Sequence, residues 1–186
     1  ETYKNETIAY QYFINSDSLL SVSHLEFTFN YYIECPSDSF VVLRGEHQIC
    51  MAIRVFSEPG QNWTAGMKLC LADGISMSGP WNKDELSNLA RRLSDTEKLP
   101  AGYDYNNADY WMDGHVIGGN EMYNFTDNTL HDTNVYKTSG RSLGECAHME
   151  AGLDQFKVRM CSEKKSESRS YCFRGAICRV DPVIQL

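Results

Sequence analysis

Seven cysteines are the first residues with chemistry to offer: Cys35, Cys50, Cys70, Cys146, Cys161, Cys172 and Cys178. No two are spaced C-x-x-C, so neither a zinc ribbon nor a thioredoxin-like redox motif is supported. Three N-x-[ST] sequons accompany them, at Asn5-Glu6-Thr7, Asn62-Trp63-Thr64 and Asn124-Phe125-Thr126. One sequon arises easily by chance. Several sequons beside this many cysteines fit an oxidising, glycan-bearing compartment, with Asn5, Asn62 and Asn124 as the expected acceptors.

Acid–base chemistry is less well served. The histidines His24, His47, His115, His131 and His148 are scattered, and only His131-Asp132 sets an imidazole beside a carboxylate. There is no nucleophile elbow, no H-E-x-x-H and no phosphate-cradling glycine loop. Gly118-Gly119 gives a loop freedom rather than a phosphate site. No catalytic residue is assigned, and an enzyme is not expected. Asp104, Asp109, Asp113, Glu121 and Asp127 could supply calcium oxygens, but such residues are ordinary turn formers and solubilising charges, and that reading is preferred. No metal and no other cofactor is expected.

Six aromatic residues between positions 101 and 145 interleave with Asn and Asp: Tyr103, Tyr105, Tyr110, Tyr123, Phe125 and Tyr136. Aromatic rings among small polar residues make adaptable contact surfaces, so these are the expected partner-binding residues. The competing reading packs several rings onto the domain, since Tyr is commonly half-buried. A glycan on Asn124 would keep part of this surface from close contact.

The chain of 186 residues has a net charge of -8 and is 42% hydrophobic, enough for a sizeable core. Its acidity argues against nucleic acid and anionic lipid as partners. No apolar run reaches the ~18 residues that would span a bilayer. The chain starts at Glu1 without a signal-peptide pattern, as a trimmed ectodomain would, with any anchor outside it.

The elements that must hold these residues follow from periodicity. Leu25, Phe27 and Phe29 alternate within a strand-forming stretch that Cys35-Pro36 ends. Phe40 to Leu43 and Ile49 to Phe56 read as strands joined by a turn at Gly45. Trp63, Met67 and Cys70 recur on one helical face, with Gly74 as the stop. Asn82 and Glu85 form a capping-box pattern ahead of the stripe Leu86, Leu89, Ala90 and Leu93. Residues 101–145 read as a long irregular region in which only Tyr110 to Met112 and Val116-Ile117 look strand-like, and long loops usually carry function. Short strands return at Cys146 to Met149, Phe156 to Cys161 and Tyr171 to Val180.

This order resembles the C-type lectin-like fold in its long form. Cys35-Pro36 with Cys50 resembles the family's opening hairpin. Trp63 seven residues before Cys70 resembles W-x-x-A-x-x-x-C, with Gly66 in place of the alanine. Tyr110 to Gly114 resembles the W-I-G-L strand, Glu145-Cys146-Ala147 the acidic-Cys-Val strand, and Ala176-Ile177-Cys178-Arg179 the closing F-I-C-E. Phe156, five residues before Cys161, stands where the family has the Trp of W-N-D-x-x-C.

The resemblance implies an α+β fold of two helices, antiparallel sheets and a long loop region. It covers the domain at 35–180; residues 1–34 lie outside it and read from their own pattern as an extension of added strands, with a stalk as the alternative, and 181–186 reads as a C-terminal tail. The resemblance also implies the bridges Cys35–Cys50, Cys70–Cys178 and Cys146–Cys161. Cys172 is then left over, as a buried thiol, a link between two chains, or the alternative partner of Cys146. The family's calcium and sugar motifs are absent: no E-P-N or Q-P-D loop occurs, and Lys157-Val158 replaces the Asn-Asp of W-N-D. The expected function is calcium-independent recognition or adhesion, with an extracellular or cell-surface protein as partner. The alternatives are a glycan-binding lectin with a displaced calcium site and a dimer linked through Cys172.

Overall fold

The computed structural model describes residues 3–10, 25–45, 47–72, 76–95, 108–118, 122–127, 131, 135, 142–164 and 172–185. In chain order these form β1 (Tyr3–Tyr10), β2 (Leu25–Glu34), β3 (Phe40–Arg44), β4 (His47–Val55), α1 (Trp63–Leu71), β5 (Ser76–Met77) and α2 (Lys83–Asp95). They continue with β6 (Ala108–Gly118), β7 (Met122–Asn124), β8 (Glu145–Glu150), β9 (Phe156–Met160), β10 (Cys172–Val180) and β11 (Val183–Gln185).

The main sheet runs β3-β4-β10-β6-β8-β9, with β5 on β10 and β7 on β6. A turn at Gly45, whose φ of 63° suits glycine, joins β3 to β4. A second sheet orders β1-β2-β11, so residues 183–185, expected as a tail, pair with the N-terminal extension.

Two expectations are corrected by β6. The two short runs expected to be strand-like within an irregular region, Tyr110 to Met112 and Val116-Ile117, are parts of one eleven-residue strand at the centre of the sheet. That strand lies parallel to β10, so the sheet is mixed and not wholly antiparallel. The physical reason is burial on both faces. Tyr110 and Met112 enter one core and Trp111 the other, so the apolar/polar alternation of a half-exposed strand never appears.

These two cores cover the two faces of the sheet. One gathers Leu86, Leu89, Ala90 and Leu93 from α2 with Met51, Tyr110, Met149 and Ile177. Leu89 and Leu93 have no exposed surface, and each such burial stabilises by roughly 1.5–3 kcal/mol. The other gathers Trp63 and Cys70 from α1 with Trp111, Phe173 and Cys178. Asn62 caps α1 by accepting from the Ala65 N–H at 3.0 Å. The residue that closes this helix is Ala72, whereas Gly74 lies outside the described residues.

Three disulfides cross-link this frame. Cys35–Cys50 staples the chain entering β3 to β4, Cys70–Cys178 ties α1 to β10, and Cys146–Cys161 ties β8 to the turn after β9. Their Cα–Cα separations of 5.4, 5.4 and 4.9 Å are ordinary for such bridges. Cys172 keeps its thiol inside β10 with no exposed surface. A bond between two chains at this thiol would require the strand to open.

Candidate functional site

The residues beyond β6 are rooted in the domain by a buried polar network. Arg44 ends β3 and is 6% exposed. Its guanidinium donates to the Glu85 carboxylate at 2.8 Å and to the Gly79 carbonyl at 2.6 Å, and stands 3.8 Å from Asp127 Oδ2. Glu85 also accepts from the Trp81 N–H, while Asn82 Oδ1 accepts from the Glu85 N–H. The expected cap of α2 is therefore present, and its acidic member also neutralises a buried arginine.

From Asp127 the network runs back into β6. Asp127 accepts from Ser78 Oγ at 2.6 Å and lies 3.0 Å from His131 Nε2. The other ring nitrogen of His131 lies 3.1 Å from the Pro80 carbonyl, and the ring stacks on Phe125. Asp113 of β6 accepts from the backbone N–H groups of Gly114, Thr126 and Asp127. Burial pushes its carboxyl above the usual carboxylate range, against the pull of these bonds.

A serine, a carboxylate and an imidazole meet here in the wrong order for nucleophilic catalysis. Asp127 sits between Ser78 and His131, so the hydroxyl donates to a carboxylate and has no imidazole base. The arrangement anchors a loop. It also occupies the carboxylates of Asp113 and Asp127, two of the calcium candidates, with backbone and side-chain donors. Asp104 and Glu121 lie outside the described residues.

Asp109 has a different setting, on the face of β6 that carries Trp111. Its carboxylate lies 3.3 Å from His148 Nδ1. Burial, then the neighbouring Glu150 charge, pushes Asp109 up to about 7. Burial, then the charges of Arg159 and Lys157, pushes His148 down to about 3. The imidazole meets Trp111 and Phe173 edge-on. An acid and a base are thus adjacent, but they are only 3% and 1% exposed, so no substrate reaches them. Lys157, which stands where the resembling family has a calcium ligand, hydrogen-bonds Glu150. Among the described residues no group of three His, Cys, Asp or Glu side chains could hold a metal.

The aromatic candidates divide. Tyr110 has no exposed surface and packs the core, which corrects its expected role in partner binding. Tyr123 and Phe125 are half-buried, stack on each other at 6.0 Å and pack against the α2-side core. Tyr103, Tyr105 and Tyr136 lie outside the described residues. Of the sequons, Asn124 is exposed on β7, Asn62 is engaged as the cap of α1, and Asn5 lies on β1.

One concave surface has no counterpart in the sequence reading. A groove of about 370 Å³ runs between β3 and α2, lined by Phe40 and Val42 on one wall and Asp84, Asn88 and Arg92 on the other. Arg92 sits over the Phe40 ring, 4.1 Å from its centroid. The strand and the capped helix were both legible, but that a helix lies along the sheet edge is a tertiary fact with no local signal.

No protein-family model and no curated relative matches the sequence. Among solved structures, human lithostathine is 13% identical and superposes with a TM-score of 0.52, covering 80% of this chain and 91% of its own. A calcium-independent type II antifreeze protein is 17% identical, with a TM-score of 0.53 over 82% of this chain and 98% of its own. Identities this low speak to architecture alone, and on that architecture the chain has the C-type lectin-like fold.

Proposed function

We propose that this chain is an extracellular recognition module that binds a protein partner without calcium. The observation that carries the reading is the Arg44–Glu85–Asp127 network. It spends buried charge on fixing the residues after β6 to the cross-linked frame, and leaves no activated nucleophile. A rigid scaffold holding irregular segments is how many domains present contact surfaces. Lys157 on Glu150 supports calcium independence, because a fixed ammonium repels a divalent cation at that end of the sheet. The disulfides and sequons support the compartment. The calcium-independent antifreeze protein of similar fold adds that this architecture works without the ion.

The test is capture of a partner from native extracellular material on the immobilised chain, with and without chelator, and before and after enzymatic deglycosylation of the material. Retention that survives both treatments is expected. Retention abolished by chelation and by deglycosylation would replace this reading with a glycan-binding lectin whose calcium site lies elsewhere.

A further inference from the structure

Two of the sequons meet on one side of the main sheet. Asn124 lies on β7 directly opposite His115 of β6, and residues paired in this way face the same side. Tyr123 and Phe125, its neighbours in the chain, pack against the α2-side core, so the exposed Asn124 side chain points to the other side, where α1 lies. There the His115 ring stands 5.8 Å from the Trp63 indole. Asn62 is the residue before Trp63, whose N–H donates to the Cys161 carbonyl at 3.1 Å. Asn62, His115 and Asn124 therefore follow one another across the α1 side of the sheet, beside the Cys146–Cys161 bridge.

Both side chains suit the chemistry. N-glycosylation moves an oligosaccharide from a polyprenyl diphosphate carrier onto an asparagine Nδ2. The bond from the anomeric carbon to the carrier oxygen breaks, a carbon–nitrogen bond forms, and the displaced amide proton leaves on the diphosphate. Asn62 caps α1 through Oδ1, which a glycosylated amide keeps, and the exposed Thr64 completes its sequon. What the glycans would cover is apolar. Leu143 is 72% exposed, and Ile117 and Met160 are 47% exposed each. Ile117 lies two residues past His115, Leu143 three before Cys146, and Met160 next to Cys161. The Cys161 N–H donates to the Gly144 carbonyl at 2.9 Å, so the apolar residues surround the same strand ends. Exposed apolar residues gathered in one place favour self-association.

We infer that Asn62 and Asn124 both carry N-glycans, and that the pair covers the apolar rim of Ile117, Leu143 and Met160 and keeps that end of the domain from joining a second copy of the chain. The inference rests on the extracellular compartment of the reading above, and adds to it two modification sites and what they do. Asn5 belongs to the other sheet and has no part in this cover.

The test uses the chain secreted from cells that perform N-glycosylation. Peptide mass spectrometry after enzymatic release of the glycans should find both Asn62 and Asn124 converted to aspartate. The sites are then removed without touching the frame. Thr64→Ala spares the Asn62 cap, and Asn124→Gln spares Thr126, whose hydroxyl bonds Asp113. Sedimentation should show the parent as a monomer and the double variant with a weight-average mass approaching twice the monomer's. Adding Ile117→Lys and Leu143→Lys to the double variant should restore the monomer. Circular dichroism confirms that each variant is folded. An unmodified Asn62 or Asn124, a parent that already associates, a double variant that stays monomeric, or association that the lysines leave unchanged overturns the inference. Unmodified asparagines on a chain that still captures its partner would remove the cover and leave protein recognition standing.

Discussion

Arg44 and Glu85 stand 41 residues apart in the chain, and their side chains meet at 2.8 Å with almost no solvent contact. The pair joins the edge strand of the sheet to the first turn of α2. Asp127 approaches the same guanidinium from beyond β6, so strand, helix and loop meet on one cation. A buried ion pair is weak evidence of net stabilisation, because desolvation offsets much of the attraction. Its value here is positional, since it fixes Asp127 against the edge strand and the helix.

Breaking that pair from one side should be costly. Glu85→Ala leaves the Arg44 guanidinium buried with a carbonyl and one carboxylate at 3.8 Å, and a loss of about 3–5 kcal/mol is expected. Replacing both, as Arg44→Met with Glu85→Leu, should cost clearly less than the two single changes summed. Urea unfolding of the four proteins measures the coupling. A double variant as unstable as that sum would show that the two residues act independently.

Much of the frame was legible because its signals are local. The cap at Asn82 and the stripe from Leu86 to Leu93 each depend on spacing within one helix. The bridged cysteines could be ordered only through the family resemblance. Arg44 illustrates what was not legible: an arginine at the end of an apolar strand reads as a solvated charge until its distant acids are known. Tyr110 illustrates a second failure. Its short run to Met112 looked strand-like, but set between Asp109 and Asp113 it read as a contact surface, since a strand buried on both faces carries no polar side to announce its depth.

The pair Asp109–His148 predicts an unusual pH dependence. Asp109 holds its proton to about 7 in the fold, against 3.8 for an ordinary aspartate. Below pH ~4 both states are protonated and nothing is lost. Between pH ~4 and 7 only the unfolded chain releases the proton, so stability falls as pH rises. His148 works in the opposite direction: its value falls from 6.5 to about 3, so its contribution is full above 6.5 and is lost as pH drops. The two nearly cancel between pH ~4 and 6.5. Asp109→Asn removes the first and keeps a polar side chain of the same shape beside His148. The variant should gain stability on going from pH 4.5 to 6.5 where the parent is flat, and exceed the parent at pH 8 by at most roughly 4 kcal/mol. Chemical unfolding at these pH values decides it, and parallel pH profiles for the two proteins would refute the assignment.

Cys172 should behave as a structural thiol. With no exposed surface, it is expected to resist a thiol reagent in the native protein and to give one equivalent after denaturation without reductant. Non-reducing gels should show a monomer. A native protein that reacts at once, or migrates as a covalent dimer, would contradict the burial of β10. Cys172→Ala should cost only about 1 kcal/mol, the loss of a small buried group.

Two glycines separate a tolerable side chain from an impossible one. A Cβ on Gly175 would fall 2.0 Å from the Arg54 carbonyl oxygen, where the β10–β6 register shifts. Backbone cannot yield there without parting β10 from β4, so Gly175→Ala should lose more than about 4 kcal/mol or fail to fold. Gly66 stands where the resembling family carries alanine. Its Cβ would lie 2.8 Å from the Met77 methyl and 3.3 Å from the Cβ atoms of Trp111 and Ala176. A methionine tip can move, and alanine favours the helix by about 1 kcal/mol over glycine, but Met77 is fully packed and its displacement opposes that gain. Gly66→Ala should therefore fold and lose less than about 2 kcal/mol. Thermal melts of the two variants side by side test the contrast, and a Gly175→Ala protein as stable as Gly66→Ala would mean that β10 does not approach β4 as described.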